Sequence, residues 1–226
     1  MGSQRLILVD GSGYIFRAFY ALPPMSREDG TPVNAVFGFT SMLLKLSEDM
    51  EGENILVVFD AARTTFRNEI YKEYKANRSE PPEELVPQFD LIKKATTAIG
   101  LKSLEVENYE ADDIIATYVK IAKKENIETL VISSDKDLMQ LIQDGVSLYD
   151  PMKNIKIGPE AVLEKFGVSP DKVIDVQALA GDSSDNVPGV PGIGVKTASQ
   201  LINEYGSLEK LLDNASSIKQ EKRRES

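Results

Sequence analysis

The sequence predicts an α/β fold, a mostly parallel central sheet flanked by helices, followed by a helical subdomain. Three observations predict it. Short apolar runs of strand length recur through the first two thirds of the chain. Amphipathic helical patterns separate them. From about Gly158 onward only helical patterns remain, joined by Gly/Pro turns. Strands that alternate with helices imply βαβ units and parallel pairing.

Taken in order, Arg5–Val9 reads as a buried strand, with Leu6, Ile7, Leu8 and Val9 in a row. Asn34–Met50 has apolar residues at Val36, Phe39, Leu43, Leu44 and Leu46 and reads as a helix. Ile55–Phe59 is the second buried strand, and Pro87–Ile99 the next helix. Leu101–Val106 is a weaker strand candidate. Ala111–Lys123 is helical, with Ile114, Ile115, Tyr118, Val119 and Ala122 on one stripe. Thr129–Ile132 is a third buried strand and Val146–Leu148 a weaker one. Beyond Gly158, Glu160–Phe166, Lys172–Ala180, Val195–Tyr205 and Leu208–Leu212 read as short helices, and no strand pattern follows Ile157. These patterns divide the chain into an α/β domain over 1–157 and a helical domain over 158–226. The tail Lys219–Arg224 is basic.

Composition narrows the chemistry. No apolar run approaches the roughly 20 residues that cross a bilayer, and no basic-then-apolar leader opens the chain. There is no cysteine, which excludes disulfides, thiolate zinc sites and cysteine nucleophiles, and fits a reducing cytoplasm. There is no histidine, the commonest general base. Acid–base chemistry then falls to carboxylates, Lys, Tyr or metal-bound water.

Nine carboxylates stand at places where packing does not call for them. They are Asp10, Asp60, Glu110, Asp112, Asp113, Asp135, Asp137, Asp182 and Asp185. Asp10 and Asp60 end strand-like runs, Asp10 before a glycine turn, and Asp135 follows one after two serines. In a parallel sheet, ligands sit beyond the carboxyl ends of the strands, so these three are expected along one edge. Glu110, Asp112 and Asp113 open a helix, where acids suit the dipole. Plain capping is the competing reading, but three acids in four residues repel one another unless a cation intervenes. Asp135 and Asp137 read as the start of another helix, with Lys136 as a neutralising neighbour. Asp182 and Asp185, three apart, share a face if their turn is helical. An all-oxygen set without His or Cys suits hard divalent cations such as Mg²⁺ or Mn²⁺. Taking these nine acids from the net charge of −10 leaves −1, so the acidic balance lies mostly in the candidate site. It does not exclude a nucleic-acid partner.

Two further segments point to nucleic acid. Pro191–Thr197 (PGIGVKT) is a glycine hairpin that opens a helix. Gly192 and Gly194 let a phosphate approach the backbone, and Lys196 adds a charge. A tight turn between helices without a ligand is the competing reading. Arg63–Arg78 carries Arg63, Arg67, Lys72, Lys75 and Arg78 against Glu69 and Glu73, with Phe66, Tyr71 and Tyr74 interleaved. Cations with aromatics suit single strands, phosphates on the former and bases on the latter. An amphipathic helix with its aromatics in the core is the alternative. Arg17 is a further phosphate candidate.

The segments LILVDGSGYIFRAFYALP, VVFDAARTTFRNEIYKEYKANR, YEADDIIATY, VISSDKDLMQL and LAGDSSDNVPGVPGIGVKTA occur in this order. Together they resemble the 5′ nuclease domains found at the N-terminus of bacterial DNA polymerase I, in the structure-specific flap endonuclease superfamily. The resemblance runs from about Arg5 to Leu212 and implies a PIN-like sheet. It implies one metal group from Asp10, Asp60, Glu110 and Asp112. A second draws on Asp113, Asp135, Asp137, Asp182 and Asp185. It places Lys75 and Arg78 on the scissile phosphate, Tyr74 as a base-stacking residue, and Lys72 in the same arch, about 61–86. The glycine hairpin matches a helix–three-turn–helix element, about 181–206, that holds duplex DNA and can bind K⁺. The implied activity is two-metal-ion hydrolysis of DNA at 5′ ends and 5′ flaps, in replication and repair. The implied partners are flapped, nicked or branched DNA and a polymerase domain in the same full-length chain. The chain is expected to be a monomer in the bacterial cytoplasm, at the nucleoid. Two other classes compete: a module that binds branched DNA without cutting it, and a metal-dependent ribonuclease on the same type of sheet.

Overall fold

The computed structural model describes residues 5–50, 53–151 and 153–218. The basic tail Lys219–Arg224 lies outside the described residues. In chain order the elements are β1 (Leu6–Asp10), α1 (Gly11–Ala21), α2 (Asn34–Asp49), β2 (Asn54–Val58), α3 (Phe66–Ile70), α4 (Val86–Ala98), β3 (Lys102–Leu104), α5 (Ala111–Lys124), β4 (Thr129–Ile132), β5 (Val146–Asp150), β6 (Ile155–Ile157), α6 (Pro159–Phe166), α7 (Val173–Ala180), α8 (Val195–Tyr205) and α9 (Leu208–Asp213). They form two compact units. The first comprises residues up to Phe66, Ser79–Asp135 and Gly145–Lys156. The second comprises Arg67–Arg78, Lys136–Asp144 and the residues from Ile157 onward.

The sheet order is β3-β2-β1-β4-β5-β6. β1 pairs in parallel with both β2 and β4, β2 with β3, and β4 with β5. Strands β1 and β4 bury both faces, as their unbroken Leu/Ile/Val runs require. Ile7, Val9, Val57, Leu130 and Ile132 face one cluster with Tyr14, Ile15 and Ala18 of α1, Ala35, Phe39, Leu43 and Leu46 of α2, and Ile92 of α4. Alternation turns Leu8 and Val131 to the opposite face. There α5 contacts β1 and β4 and buries Ile114, Ile115, Val119 and Ala122.

The order reverses at β1. The chain first steps outward to β2 and β3, then crosses back to place β4 on the other side of β1. The carboxyl ends of β1 and β4 therefore flank a switch point, where connecting chains diverge and leave a crevice. Asp10 is the last residue of β1, and the register Val9–Ile132 brings Ser133 beside it.

Several local expectations change. α1 begins directly after Asp10, where the sequence suggests a glycine turn. Asp10 caps it by accepting from Gly13 N–H. Glu110 is not in the first turn of α5 but is its N-cap. It forms a capping box in which the Asp113 carboxylate accepts from Glu110 N–H at 3.0 Å. The helix after Asp135 shrinks to a 3₁₀ turn over Asp137–Leu141. In the basic segment only Phe66–Ile70 is helical, and turns follow it. Asp182 and Asp185 do not share a helical face. Gly181 adopts φ +73° and ends α7, and Asp182 pairs with Val187 across a tight hairpin. A Cβ at Gly181 would lie 2.3 Å from Gly189 N, and one on Gly189 2.3 Å from Ala180 C. Both glycines let two backbones touch.

Within the second unit α7 packs on α8, with α6 and α9 also against α8. Its core includes Val162, Phe166, Val173, Val176, Leu179, Ala198, Leu201 and Ile202.

Candidate metal centre

In the first unit the acids gather at the carboxyl edge of the sheet. Asp10 is 8% exposed, and its Oδ2 accepts from Ser133 Oγ at 2.7 Å. Gly13 N–H donates to its Oδ1 at 3.3 Å. Ser133 Oγ in turn accepts from Asp135 N–H at 3.0 Å, which ties the loop after β4 to the end of β1. Burial pushes the Asp10 carboxyl up to about 6. The two donors act against this, and the nearby charges of Asp60 and Asp135 add to it. Asp60 stands two residues past β2 and is exposed. Its carboxylate accepts from Ala111 N–H at 2.7 Å and from the Ser12 hydroxyl. The Ala111 contact binds the start of α5, with Glu110, Asp112 and Asp113, to the edge that carries Asp10. Glu110 is buried, while Asp112 and Asp113 are half-buried.

The remaining three acids belong to the second unit. Asp137 accepts from Gln177 Nε2 at 2.5 Å. Asp182 is paired with Lys136 Nζ at 2.7 Å and accepts from Ser184 N–H at 2.8 Å. Burial pushes the Asp182 carboxyl up, but Lys136 and Ser184 outweigh it and hold the group below the ordinary carboxylate range. Asp185 receives Arg78 at 2.5 Å, Lys75 at 3.7 Å and the Tyr74 hydroxyl at 3.1 Å.

The residues expected at phosphates are half-buried or exposed. Arg17 on α1 is half-buried and Lys72 is exposed. Lys75 Nζ lies 5.0 Å from the centre of the Tyr74 ring, and the Arg67 guanidinium 6.0 Å from it. In the hairpin before α8, Gly192 takes φ +79°, while Gly194 is the N-cap of α8 and makes no side-chain cap. Both glycines and Lys196 are exposed.

Among the described residues, no three acids stand close enough to form a ready-made metal cage. Asp10, Asp60, Asp137, Asp182 and Asp185 each take a local donor instead: Ser133, Ser12 and Ala111 N–H, Gln177, Lys136 and Arg78. The donor set nonetheless fits a hard divalent cation. It is all carboxylate oxygen, held on strand ends and a helix start. It includes Asp10, an acid whose burial disfavours its charge, a bias that a cation reverses.

Sequence reasoning missed the residues that orient these acids. Ser12 sits in the first turn of α1, and Ser133 in the Ser-Ser-Asp that follows β4. The local signal was a hydroxyl within two residues of an acid. It also missed Asp150, which ends β5 and is 2% exposed.

A mostly parallel sheet with acids at its switch point, joined to a helical unit with a glycine hairpin, defines a class of α/β proteins built around an acidic edge. Two family models divide the chain. "5'-3' exonuclease, N-terminal resolvase-like domain" matches residues 5–167, and "5'-3' exonuclease, C-terminal SAM fold" matches residues 168–226. The chain belongs to the 5′-3′ exonuclease family. It is 55% identical over 230 residues to DNA polymerase I of Rhizobium leguminosarum, covering 98% of this chain and 23% of the relative. The chain thus spans about a quarter of the length of the curated relatives it matches. Among solved structures, the T5 D15 protein co-crystallised with metal ions matches with a TM-score of 0.81 at 25% identity, covering 98% of this chain and 83% of that one. The bacteriophage T5 D15 flap endonuclease in a pseudo-enzyme–product complex with DNA and metal ions gives 0.76 at 25% identity, with the same coverage. Among the described residues, no helix is long and apolar enough to cross a membrane.

Proposed function

We propose that the chain is a metal-dependent, structure-specific 5′ nuclease that hydrolyses DNA phosphodiesters at 5′ ends and 5′ flaps. The observation that carries this reading is Asp10: a buried carboxylate at the β1/β4 switch point, bonded to Ser133 and crowded by the charges of Asp60 and Asp135. Family membership and the metal and DNA complexes of the T5 relatives support it.

In this reading Asp10, Asp60, Glu110, Asp112, Asp113 and Asp135 of the first unit are metal ligands. So are Asp137, Asp182 and Asp185 of the second. The reading assigns two or more Mg²⁺ or Mn²⁺ ions to these acids. Such ions supply a nucleophile at neutral pH and neutralise charge on the phosphate, which suits a chain without histidine. Ser133 and Ser12 keep the Asp10 and Asp60 carboxylates oriented by donating to one oxygen of each. Lys75 and Arg78 stabilise charge on the scissile phosphate. Tyr74 offers a stacking face, and Lys72 and Arg17 hold the strand backbone. The hairpin at Gly192 and Gly194, with Lys196, grips the duplex through phosphates, and K⁺ binds there. The sheet domain 1–157, with its arch at 61–86, cuts, and 158–226 binds DNA. In the full-length protein this activity accompanies a polymerase domain and removes primers and flaps in replication and repair.

Labelled 5′-flap DNA, intact duplex and single-stranded RNA, each with Mg²⁺ and with EDTA, test the reading. Cleavage of the flap and of the duplex from its 5′ ends, but not of the RNA, abolished by EDTA, is expected. Binding of the flap without cleavage in Mg²⁺ identifies a binding module instead. Preferential cleavage of the RNA identifies a ribonuclease.

A further inference from the structure

The second unit holds its basic segment against the loop after α7 at six points. Arg78 Nη2 lies 2.5 Å from Asp185 Oδ1, and Lys75 Nζ 3.7 Å from Asp185 Oδ2. The Tyr74 hydroxyl donates to the same Oδ2 at 3.1 Å. Lys75 N–H donates to the Asp185 carbonyl at 2.8 Å. Two asparagines then cross in opposite directions. Asn77 Nδ2 donates to the Ser183 carbonyl at 2.8 Å, and Asn186 Nδ2 to the Glu73 carbonyl at 2.6 Å.

Both sides turn through the left-handed region at the contact, and Lys75 carries backbone strain there. Lys75 has φ +55° and Asn186 φ +56°, in the left-handed region that side chains other than Asn rarely enter. For Lys75 such a conformation persists where surrounding contacts fix it. The loop is the stiffer partner. Its ends are joined by the Asp182–Val187 hydrogen-bond pair at 2.8 and 2.9 Å, and the Gly181–Gly189 approach leaves no room for a side chain.

The chemistry at Asp185 matches that of a phosphate. A carboxylate receives an arginine, a lysine and a phenol, the same three donors that the nuclease reading assigns to DNA. We propose that the loop Ser183–Asn186 is a latch for the basic segment. In it Asp185 stands in for a nucleic-acid phosphate and keeps Lys75, Arg78 and Tyr74 occupied until a phosphate replaces it. Asn77 and Asn186 are positioning residues, which hold the two backbones in register so that the Asp185 carboxylate meets its three partners. A divalent cation that takes the Asp185 carboxylate breaks the same three contacts from the other side. The identity of the competitor rests on the nuclease reading; the latch does not.

Trypsin, which cuts after Lys and Arg, reads the latch directly at Lys72, Lys75 and Arg78. The full chain is digested in EDTA, and fragments are followed by mass spectrometry. Asp185→Asn and Asn186→Gly are expected to cut in this segment at least about tenfold faster than wild type, with cleavage elsewhere unchanged. Asn186→Gly keeps the Asp185 charge and tolerates the left-handed backbone, so its effect isolates position from electrostatics. Glu69→Gln removes one charge from the same segment without touching the loop, and its cleavage there stays at the wild-type rate. A wild-type rate in both latch variants overturns the proposal. Binding of a 5′-phosphorylated single-stranded oligonucleotide, measured in EDTA across salt, reads the competitor. For Asp185→Asn the affinity should rise about tenfold at a given salt concentration, because the wild-type chain gives up its Asp185 contacts before the same cations meet the phosphate. Faster tryptic cleavage with an unchanged affinity keeps the latch and overturns phosphate as its ligand.

Discussion

Replacing Asp10 by Asn should stabilise the metal-free protein at neutral and alkaline pH. In EDTA the Asp10 carboxylate is held in a buried place beside two other acids, and its carboxyl is pushed up from 3.8 to about 6. The folded state therefore binds a proton that the unfolded state has already released, between pH 3.8 and about 6. A raised carboxyl works against folding as pH rises. The cost is absent below 3.8, grows across that window and is complete above about 6. At about 1.4 kcal/mol per pH unit, the full cost is about 3 kcal/mol. Asn removes the charge but offers one acceptor where Asp offers two to Ser133 and Gly13. That loss is about 1 kcal/mol. The net gain at pH 8 is about 2 kcal/mol, or roughly 4–8 °C in Tm for a chain of this size. At pH 3 the charge cost has gone, and the variant should be the less stable one by about 1 kcal/mol. Thermal unfolding of both proteins in EDTA at the two pH values is the assay. Adding Mg²⁺ at pH 8 should raise the midpoint of wild type more than that of the variant. A stability difference that is the same at both pH values refutes the electrostatic account of Asp10.

Other consequences follow from single residues. Gln88 is fully buried and binds Ala35 N–H at 2.8 Å, Val36 N–H at 3.1 Å, Asn34 Oδ1 at 2.9 Å and the Glu84 carbonyl at 2.9 Å. Gln88→Ala strands the first N–H groups of α2 and should cost about 2–4 kcal/mol, measured by urea unfolding. Lys196→Ala should weaken duplex DNA binding and lower its salt slope by about 0.9, one phosphate contact fewer. Lys75→Ala or Arg78→Ala should slow flap cleavage in Mg²⁺ by about 10²–10³-fold in single-turnover kinetics.

The parts of the fold written in unbroken apolar runs were legible from sequence. β1, β2 and β4 are visible because a strand buried on both faces has no polar alternation to blur it. α2 and α5 are visible because their apolar stripes keep one period. α1 was hidden by Gly11, Ser12 and Gly13, which read as a turn, although Tyr14, Ile15 and Ala18 behind them are buried. The run around Asp182 and Asp185 suggested a helical face because spacing was the only guide. Gly181 at φ +73° turns the chain out of the helix first. The placement of Asp10, Asp60 and Asp135 at one sheet edge followed from parallel pairing and needed no side-chain detail. The partners that hold the acids did not follow. Ser133 reaches Asp10 across 123 residues and Tyr74 reaches Asp185 across 111, distances over which a local pattern carries no signal. Asp150 was missed for the same reason, since burial at the end of β5 comes from the packing of distant segments.

The central claim is that the acids at the sheet edge hold the metal that cuts DNA. Single-turnover cleavage of a 5′-flap in Mg²⁺ by Asp113→Ala and by Asp135→Ala, with flap binding measured in parallel, tests it most directly. Rates lower by orders of magnitude with binding largely intact are expected. Cleavage at the wild-type rate by either variant would contradict it.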